Sequence, residues 1–577
     1  MSSLFRASQR LRRISVLCLL LTLSGTGPLR VQAQVQDPLL PRVQLVLRAR
    51  IPATGEPPEL TAGGASFRAS AALPCFYERR GFAPAWSDGQ GLRRSAGDLL
   101  LAIESVAGEG MAAEDYRLAD LRGLAEAVRR RPDAGQLAEL DLLLTDAFLT
   151  LGSHLRNGRV NPQTVYRDCL YESTEIDLPS LLEKALEEGR VEGSLEDLAP
   201  SHPIYRGLKL ALGFYRGIVA RGGWPAVPEG DTLRPGDRDP RIEALRARME
   251  ASGFAAEAPE GRDLYDAPLQ AAVVVFQERN GLEPDGVVGK GTLEILNVPA
   301  GDRLRQIEVN LERWRWMPRD LGERYVIVNI AGFVLDVVEN GRTTLDMKVV
   351  VGKPASKTPM FSDEMTYLFL SPYWNVPPSI VQNEIVPRMR RDPGYLDREG
   401  MEVFAGPGGA QLSPAGIDWS SENGRGLSIR QKPGRKNALG RVKFMFPNAF
   451  NVYLHDTPSR SSFGRASRAF SHGCIRLEQP IELAEHLLSR EDPTWTREKI
   501  EAAIAKGEEK GIVFKEPWPV HLVYWTVWVD DAGVVQFRED LYGRDAELAK
   551  ALDLIPATGS PVPPGPRSPA TSTPSRP

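Results

Sequence analysis

The 577-residue chain changes its hydrophobic period along its length. From about residue 66 to 240 apolar positions recur at helical spacing. Leu99, Leu100, Leu101 and Ile103 open one amphipathic stretch, and Leu137, Leu140, Leu142, Leu143, Leu144, Phe148 and Leu149 form another. Leu181, Leu182, Leu186, Leu208, Leu210 and Leu212 continue the pattern, and Pro162, Pro179, Pro200 and Pro203 punctuate it. A compact helical module is expected over 241–298. There Leu269, Ala272, Val273, Val275 and Phe276 make an apolar face that stops at Asn280-Gly281, a helix C-terminal signal. Residues 299–321 read as a linker in which Trp314, Trp316 and Met317 supply interdomain packing. From 322 the period becomes two. Tyr325, Ile327 and Asn329 alternate with Val326, Val328 and Ile330, and Asn340-Gly341 marks a hairpin turn. Further strands are expected at 347–351, 442–446, 451–455 and 523–529, with a helix from Ile481 to Leu488. Residues 379–440 interrupt the strands with helical sequence (Ile380 to Arg391) and with Gly406-Pro407-Gly408-Gly409, Gly424 and Gly426. That composition predicts mobile connections rather than a rigid core. The fold class is multidomain α+β.

Length adds that more than one domain is needed, because single cores rarely exceed about 250–300 residues. With 42% hydrophobic and 25% charged residues most of the chain can fold. A net charge of −4 offers no basic surplus for a phosphate backbone, so nucleic acid is not an expected partner. Arg6, Arg10, Arg12 and Arg13, then the short apolar run from Ile14 to Leu23, then Val31-Gln32-Ala33, read as a cleavable secretory signal over 1–33. No other run approaches the ~20 residues of a membrane helix. Residues 34–65, rich in Pro, Gly, Ala and Gln, read as a linker, and the Pro/Ser/Thr tail over 556–577 reads as disordered. After signal cleavage Cys75, Cys169 and Cys474 remain. An odd count in an exported chain suggests one free thiol, here Cys474. Cys75 and Cys169 are then either a disulfide or two separate buried thiols.

The chemistry concentrates at Ser471-His472-Gly473-Cys474-Ile475-Arg476. A thiol follows a flexible glycine, with one imidazole at His472 and a second, His455, nineteen positions before it. A thiol near an imidazole is the minimal apparatus for acyl transfer through a thioester. Tyr453 and His455 should share one face of a strand. Asp456, adjacent to His455, should point to the other face and so is not expected to be a triad acid. The residues alone leave open which histidine is the base. The Gly473 and Cys474 amides are candidate oxyanion donors. Arg476 is a fixed cation suited either to a substrate carboxylate or to an internal ion pair.

The string S-H-G-C-I-R with the His455–Cys474 spacing resembles the active-site signature of the L,D-transpeptidases, the YkuD-type catalytic domain. Residues 328–333, 349–354, 375–378, 432–434 and 437–440 resemble further strands and loops of that domain, over about 322–555. The insertion at 379–440 is similar to the lid that large periplasmic members carry. The 241–298 string V-x-x-F-Q-x-x-x-G-L-x-x-D-G-x-x-G-x-x-T-x-x-x-L resembles peptidoglycan-binding domain 1, a three-helix module. The resemblance implies a helical scaffold domain over 66–240, that small module, and a β-rich catalytic domain with a lid. It makes Cys474 the nucleophile and His455 the base. Gly473 and His472 shape the nucleophile loop, and Ser471, Tyr453 and Arg476 lie at the substrate. It implies a periplasmic enzyme that takes a tetrapeptide stem of peptidoglycan as donor and the side-chain amine of a second stem as acceptor. The product is a 3→3 cross-link made in cell wall biogenesis, beside other wall-synthesis enzymes and with no metal or organic cofactor.

Three other readings compete. The same cysteine with water as acceptor gives an L,D-carboxypeptidase or an enzyme that releases wall-anchored protein. A wall-binding protein with a dead catalytic domain is a second. A metalloprotein using His455, His472, Cys474 and His486 is a third, and it lacks the H-E-x-x-H or paired C-x-x-C spacing that would favour it.

Overall fold

The computed structural model describes residues 39–51, 61–62, 65–69, 71–88, 91–171, 175–254 and 261–554. The signal peptide and the 556–577 tail lie outside the described residues. The first correction concerns the 34–65 linker. Leu39–Arg50 forms helix α1, with Val43 and Leu47, one turn apart, buried. They pack on the 24-residue helix α2 (Ala134–Asn157). Pro41 sits in the first turn, where its missing N–H costs no helical bond. Proline-rich composition hid a helix whose apolar residues recur at i, i+4. If α1 is part of the scaffold core, Leu47→Ala should cost about 2–5 kcal/mol, the usual range for a buried leucine. Denaturant unfolding of the helical unit reads this, and a true linker would lose nothing.

Helix α2 starts on Asp133, whose carboxylate accepts from the Gly135 and Gln136 amides. Within it, the buried Asp141 carboxylate accepts from the Ala85 and Trp86 amides and from the Tyr77 hydroxyl. One polar side chain thus ties the 73–92 region to the central helix. Helix α3 (Pro203–Ala220) carries the scaffold toward the rest of the chain. Cys75, Cys169 and Cys474 are all free thiols. Cys75 lies in the helical unit, in Leu73–Arg79. Cys169 is buried in a two-residue strand against Met360, and burial pushes its thiol up to about 12.

The small module is built from helices α4 (Arg241–Ala251), α5 (Ala267–Arg279) and α6 (Lys290–Leu296). Gln277 knots its turn: its amide donates to the Asp285 carboxylate and the Val287 carbonyl, and accepts from the Gly286 amide. Gly286 has φ +67°, and a Cβ there would meet Gln270 at 2.9 Å. Val227 and Leu233, which the sequence reading left in the scaffold, belong to this module's core. Leu233 bridges to Val288.

The supposed linker at 299–321 contains helix α7 (Ala300–Trp316), with eleven buried residues. Its periodicity is disguised by buried ions: Arg315 pairs with Glu312 at 2.9 Å and Arg313 with Asp545. Trp314 stacks on Trp525 at 4.4 Å and on His202 at 4.6 Å. The helix is therefore the mast on which scaffold and β domain meet.

The β domain contains β1 (Arg324–Asn329), β2 (Val334–Glu339), β3 (Arg342–Gly352) and β4 (Met360–Leu370). The insertion adds β5 (Met401–Phe404) and β6 (Ser428–Gln431). Then follow β7 (Val442–Met445), β8 (Leu454–His455), β9 (Ile475–Leu477) and β10 (Lys510–Val523). Neighbours run β7-β8-β9-β3-β2-β1-β10-β4, and β4 pairs again with β7, so the sheet closes on itself. Helix α8 (Pro480–Ser489) packs its apolar face into the same core. The insertion is not a set of loose connections. Its strands form a separate sheet with Trp374–Asn375, and Val381, Ile385, Met389, Val403, Trp419 and Ile429 make it a core of its own. The glycines sit at its turns, where Gly406, Gly408 and Gly424 have positive φ. No helix among the described residues is long and apolar enough to cross a membrane.

Candidate active site

Strand β8 lies between β7 and β9, antiparallel to the first and parallel to the second. Lys443 stands opposite His455, and His455 beside Arg476. Side chains alternate across a sheet. Phe444, Leu454, Ile475 and Leu477 take the inner face and are fully buried. Lys443, His455 and Arg476 take the other face. Tyr453 and Cys474, each one residue before a paired position, join them. The Tyr453 and His455 rings meet edge to face at 5.7 Å. The Lys443 ammonium lies 4.0 Å over the Tyr453 ring. The expected strand 451–455 is shorter than its alternation suggests. Asn451 has φ 55°, and the Asn448 side chain holds the Phe450 and Val452 amides in a turn.

The 471–474 loop is clamped. The Ser471 hydroxyl donates to the Cys474 carbonyl at 2.5 Å and accepts from the Gly473 amide at 3.1 Å. The Thr358 hydroxyl donates to the Gly473 carbonyl at 2.8 Å. Gly473 has φ +118°, a conformation that side chains disfavour. One part of the sequence reading is thereby corrected. The Gly473 amide, read as an oxyanion donor, is committed to Ser471, which leaves the Cys474 amide as the candidate donor.

His455 is buried, and its Nδ1 lies 2.5 Å from the Asp456 backbone carbonyl. That contact makes Nδ1 the donor and leaves Nε2 as the basic nitrogen. Burial, then the Arg476 and Lys443 cations, push the imidazole down to about 3, so it is neutral at ordinary pH. The Asp456 carboxylate accepts instead from the Arg441 amide and guanidinium and from the Thr457 amide. As the strand alternation expects, it does not meet the imidazole. Burial also raises the Cys474 thiol. The nearby Tyr453 amide and hydroxyl and the Lys443 and Arg476 cations pull it back, and Sγ itself points to the Asn451 carbonyl at 4.0 Å.

Arg476 is half-buried, with no carboxylate ion pair among the described residues and a buried Nε that lacks a partner. The internal ion pair open to it in the sequence is not formed. His472 is exposed and turned to the insertion: its Nε2 lies 2.7 Å from the Glu384 carboxylate. Trp374, paired with Gln431 of the insertion's sheet, lies beside the Tyr453 hydroxyl. Sequence reasoning missed Lys443, Thr358, Trp374 and Glu384. Only Lys443 carried a signal, as the polar position between Val442 and Phe444.

Residues 323–501 match the family model of the L,D-transpeptidase catalytic domain. Residues 71–212 match the scaffold domain, and 238–296 match a peptidoglycan binding domain, itself a provisional description. A Haemophilus influenzae protein provisionally described as an L,D-transpeptidase is 31% identical over 245 residues, 42% of this chain and 49% of that protein. The chain thus spans about half the length of that relative. An N-acetylmuramoyl-L-alanine amidase of Mycobacterium tuberculosis is 39% identical over 80 residues, 12% of this chain and 20% of that one. The crystal structure of residues 123–326 of an L,D-transpeptidase from Xylanimonas cellulosilytica aligns at 16% identity over 51% of this chain and 99% of that one, with a TM-score of 0.17.

Proposed function

We propose, on the premise that residues 323–501 are an L,D-transpeptidase catalytic domain, that the chain cross-links peptidoglycan stems 3→3 through a thioester on Cys474. The observation that carries this reading is one sheet face bearing Cys474, Tyr453, His455, Lys443 and an ion-pair-free Arg476. Neutral His455 takes the thiol proton at Nε2, and the sulfur attacks the carbonyl of the third residue of a tetrapeptide donor. The Cys474 amide faces the developing oxyanion. The terminal D-alanine leaves with the proton from His455. The side-chain amine of a second stem then attacks the thioester and gives its proton to His455. The sulfur leaves as thiol. Lys443 and the Tyr453 hydroxyl stabilise the passing thiolate, and Arg476 receives a stem carboxylate bidentately. Catalysis takes place in the periplasm, after export, beside other enzymes of wall synthesis.

Incubation with muropeptides carrying tetrapeptide stems tests the reading by mass spectrometry of the products. Loss of D-alanine with a 3→3 dimer is expected; loss of D-alanine with no dimer assigns a carboxypeptidase instead. The insertion acts as a lid that excludes water and favours an amine acceptor. Its hold on the nucleophile loop is in part the His472–Glu384 pair, with side chains 40% and 52% exposed. A surface pair of this kind contributes at most about 1 kcal/mol. Glu384→Ala should therefore raise the ratio of hydrolysed to cross-linked product by no more than about five-fold. An unchanged ratio removes the pair from lid closure.

A further inference from the structure

The small module does not stand apart from the catalytic domain. It packs on a hairpin of β11 (Val527–Val529) and β12 (Val535–Phe537), and α3 of the scaffold meets the same hairpin. Arg538 fastens this seam, donating to the Arg279 carbonyl at 3.1 Å while lying over Trp528. Between the three units is a cavity of about 210 Å³. One arginine enters it from each of α4, α5 and α7: Arg248, Arg279 and Arg303.

None of the three forms an ion pair with a carboxylate among the described residues. Arg248 is 2% exposed and Arg303 7%. Arg248 bonds the Leu296 carbonyl and the Ser252 hydroxyl, and its guanidinium lies 3.7 Å over Trp224. Arg303 bonds the neutral amides of Gln306 and Asn280 and lies 4.5 Å over Phe537. Its neighbour Asp302 is bonded to Arg305. Arg279 lies 4.7 Å over Phe254. Aromatic faces soften the burial of a cation but do not neutralise it. Two buried guanidinium groups that repel each other are costly unless an anion enters. Burial and the Arg303 charge accordingly push Arg248 down to about 9.

We propose that this cavity is the wall-docking site of the chain and takes a carboxylate of a peptidoglycan stem peptide. The guanidinium forks fit a carboxylate's paired oxygens. The aromatic walls cover the aliphatic part of the same residue. The cavity holds one such residue rather than a strand, so it anchors a stem while another occupies Cys474. The inference rests on the transpeptidase reading for its ligand class but not for its geometry. It also places the site at a seam, where more than half of the lining comes from outside the module.

Co-sedimentation of the full chain with insoluble peptidoglycan tests this. Arg279→Gln removes a half-buried charge. Val534→Phe fills the cavity from the hairpin without touching an arginine. Arg279→Gln is expected to weaken binding about ten-fold, the loss of one charge-assisted contact, and Val534→Phe by at least as much, because it takes the space the ligand would fill. The parent should weaken similarly on wall whose carboxyl groups have been amidated, and the variants should lose less than the parent does. Acylation of Cys474 by a soluble tetrapeptide, read by intact mass, should stay unchanged in both variants, which separates failure here from failure of the transpeptidase reading. Parental binding by folded Arg279→Gln would overturn the proposal. So would equal binding of the parent to native and amidated wall, a result that needs no variant to fold.

Discussion

Replacing Cys474 with serine is expected to abolish acylation and cross-linking while leaving the fold intact. The Tyr453 amide and hydroxyl and the Lys443 and Arg476 cations surround the sulfur. All four favour a thiolate. A serine hydroxyl is far less acidic than a thiol and has no accessible anion near neutral pH. The change removes little volume, and the Ser471 and Thr358 clamps on the loop act through backbone groups that serine retains. Loss of a covalent nucleophile typically costs more than about a thousand-fold in rate. Unfolding of the variant should match the parent. Transpeptidation retained by the serine variant would end the cysteine mechanism.

His455→Gln is expected to lower acylation by about 10²–10⁴-fold, the usual worth of a general base. The pH dependence distinguishes this role from a merely structural one. Because burial, Arg476 and Lys443 depress the imidazole to about 3, it stays unprotonated as pH falls through 6.5. The acid limb of the parent's acylation profile should therefore lie well below the ordinary histidine range. Removing the Arg476 charge relieves repulsion of the imidazolium, which raises the His455 pKa. In Arg476→Met the acid limb should move toward 6.5, and in His455→Gln it should vanish. An acid limb that stays in place in both variants would assign the proton transfer to another group. The alkaline side carries the opposite sign: the raised thiol ionises only at high pH, so no gain in acylation is expected between pH 6 and 8 from thiolate formation in the free enzyme.

The local string at 471–476 was readable because its neighbours are sequence neighbours: Ser471, Gly473 and Cys474 form one loop, and Arg476 lies on the strand that follows. His455 was readable only through its spacing to Cys474, which resembles the family signature; fifteen residues separate it from Ser471, and the parallel pairing of β8 with β9 brings the two together. Lys443, Thr358, Trp374 and Glu384 were not, because barrel closure and the insertion bring them in from distant positions. The two misread linkers failed for different reasons. In α1 proline-rich surroundings masked the Val43–Leu47 stripe. In α7 the buried residues include Glu312, Arg313 and Arg315, whose charges are satisfied by partners that a hydropathy pattern cannot register. The insertion was misjudged because its glycines mark turns between elements that share a core of their own. The multidomain α+β class itself was legible from the switch of period at 322, since helical and strand repeats come from residues that pack locally.

The central claim is that Cys474 carries the acyl group. Intact-protein mass spectrometry of the full chain, quenched during turnover of a tetrapeptide stem and followed by peptide mapping, tests it most directly. The account predicts one adduct equal to the donor less D-alanine, located on the peptide that contains Cys474 and cleaved by added amine acceptor. Dimer formation with no adduct at any quench time, or an adduct on another residue that survives in Cys474→Ser, would contradict it.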